Sequence, residues 1–343
     1  MGRRSLYIVS IPEITTWDHG ISQVKISMSY PLRWVNSYVL HSSSGIVIID
    51  PGPRNSVTED EWKKVLGKLG YTLEDVSGIF VTHHHPDHYG LAGWFQSQCN
   101  AKVYMSQRSY DESLLMWGTD TDINVKLTLW LQQHGLPDEL ASQIEQHLLD
   151  FIPQVSPTPD ITIVERGSHL ELGGLSWLVI ETGGHAPGHL SLYNEELGIM
   201  MCGDAVLPQI SPNVSLIPGS DPEPLYSFMS GLVRLKQYVV NQAFPGHREP
   251  FSTFHKRIED LLLHHEQRLI EVDKLLIQSP QNGYEICTAL FPNKLSLHQM
   301  RFAMCEALAH LQELVRQGKA QSSVSTVDGS IIFTTTNKHP CSI

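Results

Sequence analysis

FVTHHHPDHYG, residues 80–90, sets four histidines and an aspartate into six consecutive positions directly behind an apolar run. If that run is a strand, His83 and His85 share one side of it, because alternate residues of an extended chain face the same way. Pro86 suits the first position of a helix, where its missing N–H costs nothing, and Asp87 and His88 then fall in the first turn. Two pairs of metal-ligand residue types would face one pocket. A histidine-rich surface loop is the plain alternative, and three later segments speak against it. ETGGHAPGHLS (residues 181–191) puts His185 and His189 behind a strand, MCGDAV (201–206) puts Asp204 behind another, and AFPGHREP (243–250) puts His247 behind a short apolar run. Each time a nitrogen or oxygen ligand stands at a strand end, beside glycines that let the backbone turn tightly.

Around these segments the chain reads first as strands and later as helices. VKISMSY, NSYVLHS and GIVIIDPG are successive strands, the last stopped by Pro51-Gly52. TEDEWKKVLGKLG follows as a helix, with acids in its first turn, lysines later and a glycine at its end. SGIFVT delivers the histidine stretch and AKVYMS is the next strand. Residues 107–151 form a helical insert, after which TIVERG, LSWLVIETGG, LSLYNEE and LGIMMCGD restore the strands. From about Pro250 onward FHKRIEDLLLHHEQRLIEVDKLLIQ, GYEICTALFP and SLHQMRFAMCEALAHLQELVRQG are helices, followed by a hairpin turning at Asp328-Gly329. The expected division is a catalytic domain over residues 1–254 and a linker helix with a small domain over 255–343. His264 and His265, on a charged helix, are expected to face solvent.

Composition limits the chemistry. With 343 residues, 41% of them hydrophobic, the chain can bury a large core. The formal net charge of −12 is unevenly placed: residues 1–254 carry 15 Lys+Arg against 27 Asp+Glu, and the remainder carries nine of each. Such a surface repels a phosphate polymer, so nucleic acid is not the expected partner. No apolar run approaches the ~20 residues of a membrane span. The N-terminus has no apolar signal core, so a cytoplasmic location is expected. Five cysteines, Cys99, Cys202, Cys287, Cys305 and Cys341, are odd in number and far apart, and suggest neither a disulfide framework nor a thiolate metal site.

The run HxHxDH, then GHxPGH, GD and PGH, together with IIDPG at Asp50, resembles the metallo-β-lactamase superfamily, specifically its glyoxalase II-like and lactonase-like branch. The resemblance implies a four-layer αββα sandwich. It implies one metal held by His83, His85 and His185, and a second held by Asp87, His88 and His247, with Asp204 bridging. His189 would support the site without binding metal, His84 would be a solvent-facing loop residue, and Asp50 would orient a ligand histidine by accepting its ring N–H. Nitrogen and oxygen ligands without a thiolate suit two Zn²⁺ ions and tolerate Mn²⁺ or Fe²⁺. A water shared between them becomes a hydroxide nucleophile near neutral pH, with Asp87 placed to handle a proton and Asp204 between the ions. Members that open penicillins commonly carry cysteine at the position of Asp204. Cys202 is two residues too early for that role and reads as core.

The resemblance leaves the cleaved bond open, and the remaining segments bear on it less directly. Leu115, Met116, Trp117, Leu127, Leu129, Trp130 and Leu131 give the insert more apolar residues than one stripe needs. The insert is therefore expected to form a lid, with Trp117 and Trp130 against the substrate, and Asn213 and Ser215 are expected beside them. The helix, helix and hairpin of the tail resemble a winged helix, and that tail occurs in a subgroup of the superfamily that includes small endoribonucleases. Residues 296–317 carry two arginines and two glutamates without a basic cluster, so the tail reads as a structural or homodimer-forming module. The expected function is hydrolysis of a small-molecule carboxylic ester, thioester or lactone. The alternative is a metal-dependent phosphodiesterase or endoribonuclease acting on RNA.

Overall fold

The computed structural model describes residues 10–29, 32–119 and 121–336. Cys341 and the N-terminal stretch of residues 1–9 lie outside the described residues. In chain order the first sheet-forming half contains β1 (Ile14–Trp17), β2 (Ile21–Ser27), β3 (Trp34–Ser42), β4 (Gly45–Ile49), α1 (Ser56–Leu69), β5 (Val76–Phe80), α2 (Pro86–Tyr89), α3 (Ala92–Cys99) and β6 (Lys102–Met105). The insert follows as α4 (Gln107–Trp117), α5 (Ile123–Gln133) and α6 (Asp138–Leu149). The second half contains β7 (Ile161–Ile163), β8 (His169–Leu172), β9 (Leu175–Thr182), β10 (His189–Asn194), β11 (Ile199–Gly203), α7 (Pro224–Leu235) and β12 (Gln242–Pro245). The tail is α8 (Phe254–Gln278), β13 (Gln281–Asn282), α9 (Gly283–Leu290), α10 (Leu297–Arg316), β14 (Ala320–Val324) and β15 (Ile331–Thr335).

Seven strands pair in the order β1 to β7, antiparallel as far as β4 and parallel beyond it, and a five-stranded sheet runs β12-β11-β10-β9-β8. The central strands are buried on both faces, which is why β4 (GIVII) and β11 (IMMCG) read as near-continuous apolar runs. Period-two alternation still sorts the side chains. Tyr38, Leu40, Val47 and Ile49 meet Trp177, Val179, Leu190 and Leu192 between the sheets, while Val39, Ile46 and Ile48 face outward onto Trp62, Val65 and Leu66 of α1 and Phe95 of α3. The outer face of the second sheet is covered by Leu225, Phe228 and Leu232 of α7 and by Phe254, Ile258 and Leu261 of α8. The order of layers is helix, sheet, sheet, helix, as the histidine and glycine motifs imply.

Local chemistry fixes the element ends. Asn55 caps α1 by accepting from the N–H groups of Val57 and Thr58, and Thr58 reciprocates in a capping box; such a cap contributes about 1 kcal/mol. Gly70 ends the same helix at φ 82°, a conformation that a side chain resists. Pro86 stands at the first position of α2, as its fixed φ favours. The structure also contains elements that were not expected. α7 directly follows the Pro- and Ser-rich residues 207–223, and β1 and β8 extend the two sheets at their margins. No helix among the described residues is long and apolar enough to cross a membrane.

The tail packs onto the rest of the chain chiefly through α10, which meets α6 and α7, and through α8, which meets α7. β13, β15 and β14 form a third, antiparallel sheet beside α8, α9 and α10. His265 corrects an expectation: it is fully buried, with Nδ1 3.2 Å from Nε2 of His310, so α8 and α10 meet there. It occupies the stripe Ile258, Leu261, His265, Leu269, Val272 and Leu276, whose three- and four-residue spacing marks the buried face of α8. His264 beside it is only half-buried.

Candidate metal centre

Sheet topology brings the motifs to one place. β4 and β5 are parallel, so Asp50 and the histidine stretch leave the first sheet at the same edge. In the second sheet β10 runs antiparallel to both β9 and β11, and β11 is parallel to β12, so the ends of β9, β11 and β12 coincide with the start of β10. Two backbone hydrogen bonds join these edges: Leu190 N–H donates to Thr82 O at 2.9 Å and Asn36 N–H to Gly246 O at 2.7 Å. The approach needs glycine at Gly246, where a Cβ would lie 2.3 Å from Asp204 Oδ1 and 2.6 Å from His88 Cε1.

The described residues contain three overlapping groups able to hold a metal ion: His83 with His85 and His185, His83 with His88 and Asp204, and Asp87 with His88 and His247. His83 Nε2 is 3.0 Å from His85 Nδ1 and 3.3 Å from His185 Nε2. Asp87 Oδ2 is 3.3 Å from His247 Nε2 and 3.8 Å from His88 Nε2. Asp204 Oδ2 stands between the groups, 3.5 Å from His185 Nε2, 3.6 Å from His88 Nε2 and 3.5 Å from His247 Nε2. His88 Nε2 and Asp204 Oδ1 are buried without a hydrogen-bond partner. Orphaned buried polar atoms are costly, and a cation placed among lone pairs that converge this closely would satisfy them. The donor set therefore fits divalent metal ions.

The opposite ring nitrogens are committed to protein oxygens, which fixes the tautomers. Asp50 accepts from the backbone N–H of Thr82 at 2.8 Å, from the Thr82 hydroxyl at 2.7 Å and from His88 Nδ1–H at 2.8 Å. The Thr82 hydroxyl has a single hydrogen, given to Asp50, so His83 Nδ1, 2.9 Å away, must donate to the Thr82 oxygen. His185 Nδ1–H donates to Asn213 O at 2.8 Å and His247 Nδ1–H to Trp34 O at 3.3 Å. Four imidazoles thus turn Nε2 inward, and in its neutral form each presents there the lone pair that a metal requires. His189 binds differently. Its Nδ1–H donates to the Thr182 hydroxyl at 2.9 Å and its Nε2 accepts the Asp204 backbone N–H at 3.1 Å, so it holds the aspartate's main chain.

Burial and charge divide the cluster electrostatically. Burial, reinforced by neighbouring imidazoles, holds His83 and His85 well below the ordinary histidine range. Burial also opposes charge on His88, but Asp204, Asp87 and Asp50 outweigh it and raise that ring well above its usual value; Asp204 and Asp87 do the same to His247. Burial would raise Asp204, yet His247 and His88 keep it well below the usual carboxylate range.

A cavity of about 450 Å³ opens over the cluster, with His85, Asp87, His185, Asp204 and His247 in its wall. Met116 and Trp117 at the end of α4 line it, as do Asn213 and Ser215. Trp117 is anchored by donating from Nε1 to His84 O at 3.0 Å. Trp130 does not line it. That ring faces a second hollow with His134, Leu216 and Phe333, because α5 packs toward the tail and buries Leu127 and Leu131. His84 is buried rather than solvent-facing, and burial pushes its ring down to about 3; α4 lies over the loop that carries it. The larger departure is the roof. Leu295, His298, Gln299, Arg301, Phe302 and Glu306, from the start of α10 and the turn before it, line the same cavity. Asn213 connects roof to floor, since its amide Nδ2 donates to Glu306 Oε2 at 3.0 Å while its carbonyl holds His185. Burial pushes the Glu306 carboxyl up to about 7. Cys202 is fully buried two residues before Asp204, its single thiol hydrogen within reach of Val206 O at 3.3 Å and Phe244 O at 3.4 Å.

Comparisons with known proteins bear on the family and the fold. Residues 31–247 match the model of the metallo-beta-lactamase superfamily, and residues 269–336 match a metallo-beta-lactamase-like C-terminal domain. The "probable metallo-hydrolase YqjP" of Bacillus subtilis is 26% identical over 95% of this chain and 100% of its own length. The crystal structure of the metallo-beta-lactamase family protein TTHA1429 from Thermus thermophilus superposes with a TM-score of 0.81 at 30% identity, covering 92% of this chain and 98% of that one. A beta-lactamase domain protein from Burkholderia ambifaria gives 0.85 at 28% identity, covering 95% of each chain.

Proposed function

We propose that this chain, which belongs to the metallo-beta-lactamase superfamily, is a metal-dependent hydrolase that cleaves a carboxylic ester, thioester or lactone of a small molecule. The observation that carries this reading is the pairing of a convergent seven-residue donor cluster with a confined, largely apolar cavity of about 450 Å³ directly above it. His83, His85 and His185 would hold one ion, Asp87, His88 and His247 the other, and Asp204 would contact both. Zn²⁺ is the ion that the nitrogen and oxygen donors suit best, with Mn²⁺ and Fe²⁺ also accommodated. When bound, such ions polarise a carbonyl and lower the pKa of water near them.

The chain's own groups supply the rest. Asp50 and Thr82 keep the imidazole lone pairs aimed inward by holding the far-side protons of His88 and His83. Asp87, with Oδ2 at 3.3 Å from His247 Nε2, lines the cavity and is placed to take a proton from an attacking water and return it to the leaving group. Met116, Trp117 and Phe302 narrow the space above the cluster, which excludes water and favours an apolar acyl or aryl body.

The RNA-directed alternative finds less support. In the winged-helix-like reading of the tail, α10 would be the recognition helix. Its Met304, Cys305, Leu308, Leu311 and Leu314 are buried within this chain, and its first turns face the metal cavity. A metal-loaded panel of aryl esters, acyl thioesters, lactones and single-stranded RNA, with Asp87→Ala as blank, tests the proposal. Turnover of a carbonyl substrate that vanishes in the variant is expected. RNA cleavage alone, equally lost, would overturn it.

A further inference from the structure

Four far-side ring nitrogens in the metal cluster are held by protein oxygens, but the holders differ in what supports them. Trp34 opens β3, Asp50 directly follows β4 and Thr82 stands two residues behind β5, so His247, His88 and His83 are oriented from the first sheet. His185 is oriented from a loop. Its Nδ1–H goes to Asn213 O at 2.8 Å, and residues 211–217 form neither helix nor strand. A carbonyl on such a segment aims a ring only as well as the segment itself is held. The tail holds it. Asn213 Nδ2 donates to Glu306 Oε2 at 3.0 Å, with Phe302 O at 3.4 Å, and Leu216 N–H donates to Cys305 O at 3.1 Å, all on α10. From α8, Arg257 donates to Leu207 O at 2.6 Å and to Ile210 O at 2.9 Å. The Ser215 hydroxyl donates to Asn213 Oδ1 at 2.5 Å, which leaves the amide nitrogen to face α10. Val214, fully buried, belongs to the same apolar cluster as Met304 and Leu308 of that helix.

We infer that Glu306 is a positioning residue of the metal centre, acting through Asn213 on His185, so that the tail sets how tightly the ion of His83, His85 and His185 is held. The inference rests on the metal-binding part of the hydrolase reading and is independent of the bond that is cleaved. Among the bonds from the tail, the Glu306 contact lies nearest the ring, on the same residue whose carbonyl holds it. Without it, Asn213 keeps that carbonyl but loses the anchor that fixes its distance from α10. His185 would then sample rotations that carry its Nε2 away from His83 Nε2, which now stands 3.3 Å off, and the first ion would meet a less organised set of donors. The group of Asp87, His88 and His247 is oriented by Asp50 and Trp34 and draws nothing from α10 by this route. The effect therefore falls on one ion. The tail belongs to the centre itself and does more than cover it.

The test is the affinity of the full chain for Zn²⁺, read by competition with a chromogenic chelator and needing no substrate. His185→Ala and His247→Ala first identify which binding step belongs to which ion. Glu306→Ala should weaken the His185-dependent step about three- to tenfold, less than the 10- to 100-fold expected when a partner touching the ring is removed, and leave the His247-dependent step within about twofold. Glu306→Gln keeps an acceptor for the Asn213 amide and should restore the affinity. Asn213→Ala retains the carbonyl on His185 but cuts the same link, so it should match Glu306→Ala, and the double variant should be no weaker than either single one. A merely structural role would lower the midpoint in urea without separating the two steps. Equal loss at both steps, no loss at either, or Glu306→Gln as weak as Glu306→Ala overturns the inference. If Glu306→Ala does not fold, Asn213→Ala reads the link from the other side, with the same outcomes for and against. A wild type that fails to bind Zn²⁺ would overturn the metal reading and the inference together. Two intact steps in wild type that neither variant separates would overturn the inference alone.

Discussion

Asp50 and His88 are joined at 2.8 Å, carboxylate Oδ2 to ring Nδ1, and the same Oδ2 accepts the Thr82 hydroxyl that fixes His83. One carboxylate outside the donor cluster thus governs two of its imidazoles. Asp50→Asn keeps the shape but offers an N–H where an acceptor is needed. Metal affinity should fall about 10- to 100-fold, measured by competition with a chromogenic chelator. A circular dichroism spectrum like that of the wild type should accompany the loss. Unchanged affinity would mean that the backbone alone positions the rings.

Gly246→Ala would direct a methyl group at Asp204 Oδ1 and His88 Cε1. The second ion's donors should be displaced most, so elemental analysis should return less metal per chain than wild type. Overpacking at so tight a point costs about 1–3 kcal/mol, visible as a lowered midpoint in urea. Full occupancy with unchanged stability would show that the loop gives way.

Metal uptake should expel protons. In the metal-free protein the carboxylates of Asp204, Asp87 and Asp50 keep His88 charged above its usual range, and His247 follows it. A charged ring has no lone pair to donate, so affinity should rise with pH from 6.5 upward and be lost under acid conditions. Calorimetry in buffers of different ionisation enthalpy reads the release directly. A buffer-independent heat near neutral pH would contradict it. The same charge assignments give the metal-free fold opposing slopes. The raised His88 stabilises it most below 6.5 and less as pH climbs through its folded value, whereas the depressed Asp204 stabilises it above 3.8 and less as pH falls through its own.

Glu306 should make the protein more stable in mild acid than in mild alkali. Its carboxyl has an ordinary value of 4.5 and stands at about 7 in the fold. Between those points the folded state holds the extra proton, so stability falls as pH rises through the window. Glu306→Gln keeps an acceptor for Asn213 and removes the titration. It should exceed wild type by about 3 kcal/mol at about pH 8 and match it near pH 4. Parallel stability curves for the two proteins would assign the slope elsewhere.

The two tryptophans of the insert should separate cleanly. Trp117→Ala enlarges the cavity and removes the anchor on His84 O, so KM for bulky acyl or aryl substrates should rise several-fold while short ones change little. Trp130→Ala leaves that wall intact and should lower stability without altering the KM ratio. Equal shifts in both variants would mean that the insert acts as one unit.

The donors were readable because each stands immediately behind a strand, and strand ends cluster at one edge by topology alone. Asp50 was readable for the same reason. Thr82 was not, since a threonine between a strand and a histidine has no distinguishing pattern until its hydroxyl is seen between Asp50 and His83. His265 carried a usable signal in its place on the stripe from Ile258 to Leu276, but the charged neighbours of α8 obscured it. The Pro- and Ser-rich appearance of residues 207–223 hid α7, although Leu225, Phe228, Leu232 and Leu235 recur at helical spacing right after it. The roof was beyond reach. It depends on α10 packing against Asn213 and α6, contacts between residues some ninety to one hundred and fifty apart.

The donors to the metals all precede residue 250, while the roof over them begins after residue 290, with the long α8 in between. A gene crossover within the α8 segment would therefore exchange the selectivity of such a protein and retain its reactivity. The condition is that the incoming segment keeps an acceptor where Glu306 meets Asn213, because that bond also steadies His185. Relatives diverging by this route would be expected to share a floor and differ in their roofs. A chimera joined in mid-α8 is the laboratory form of the same event.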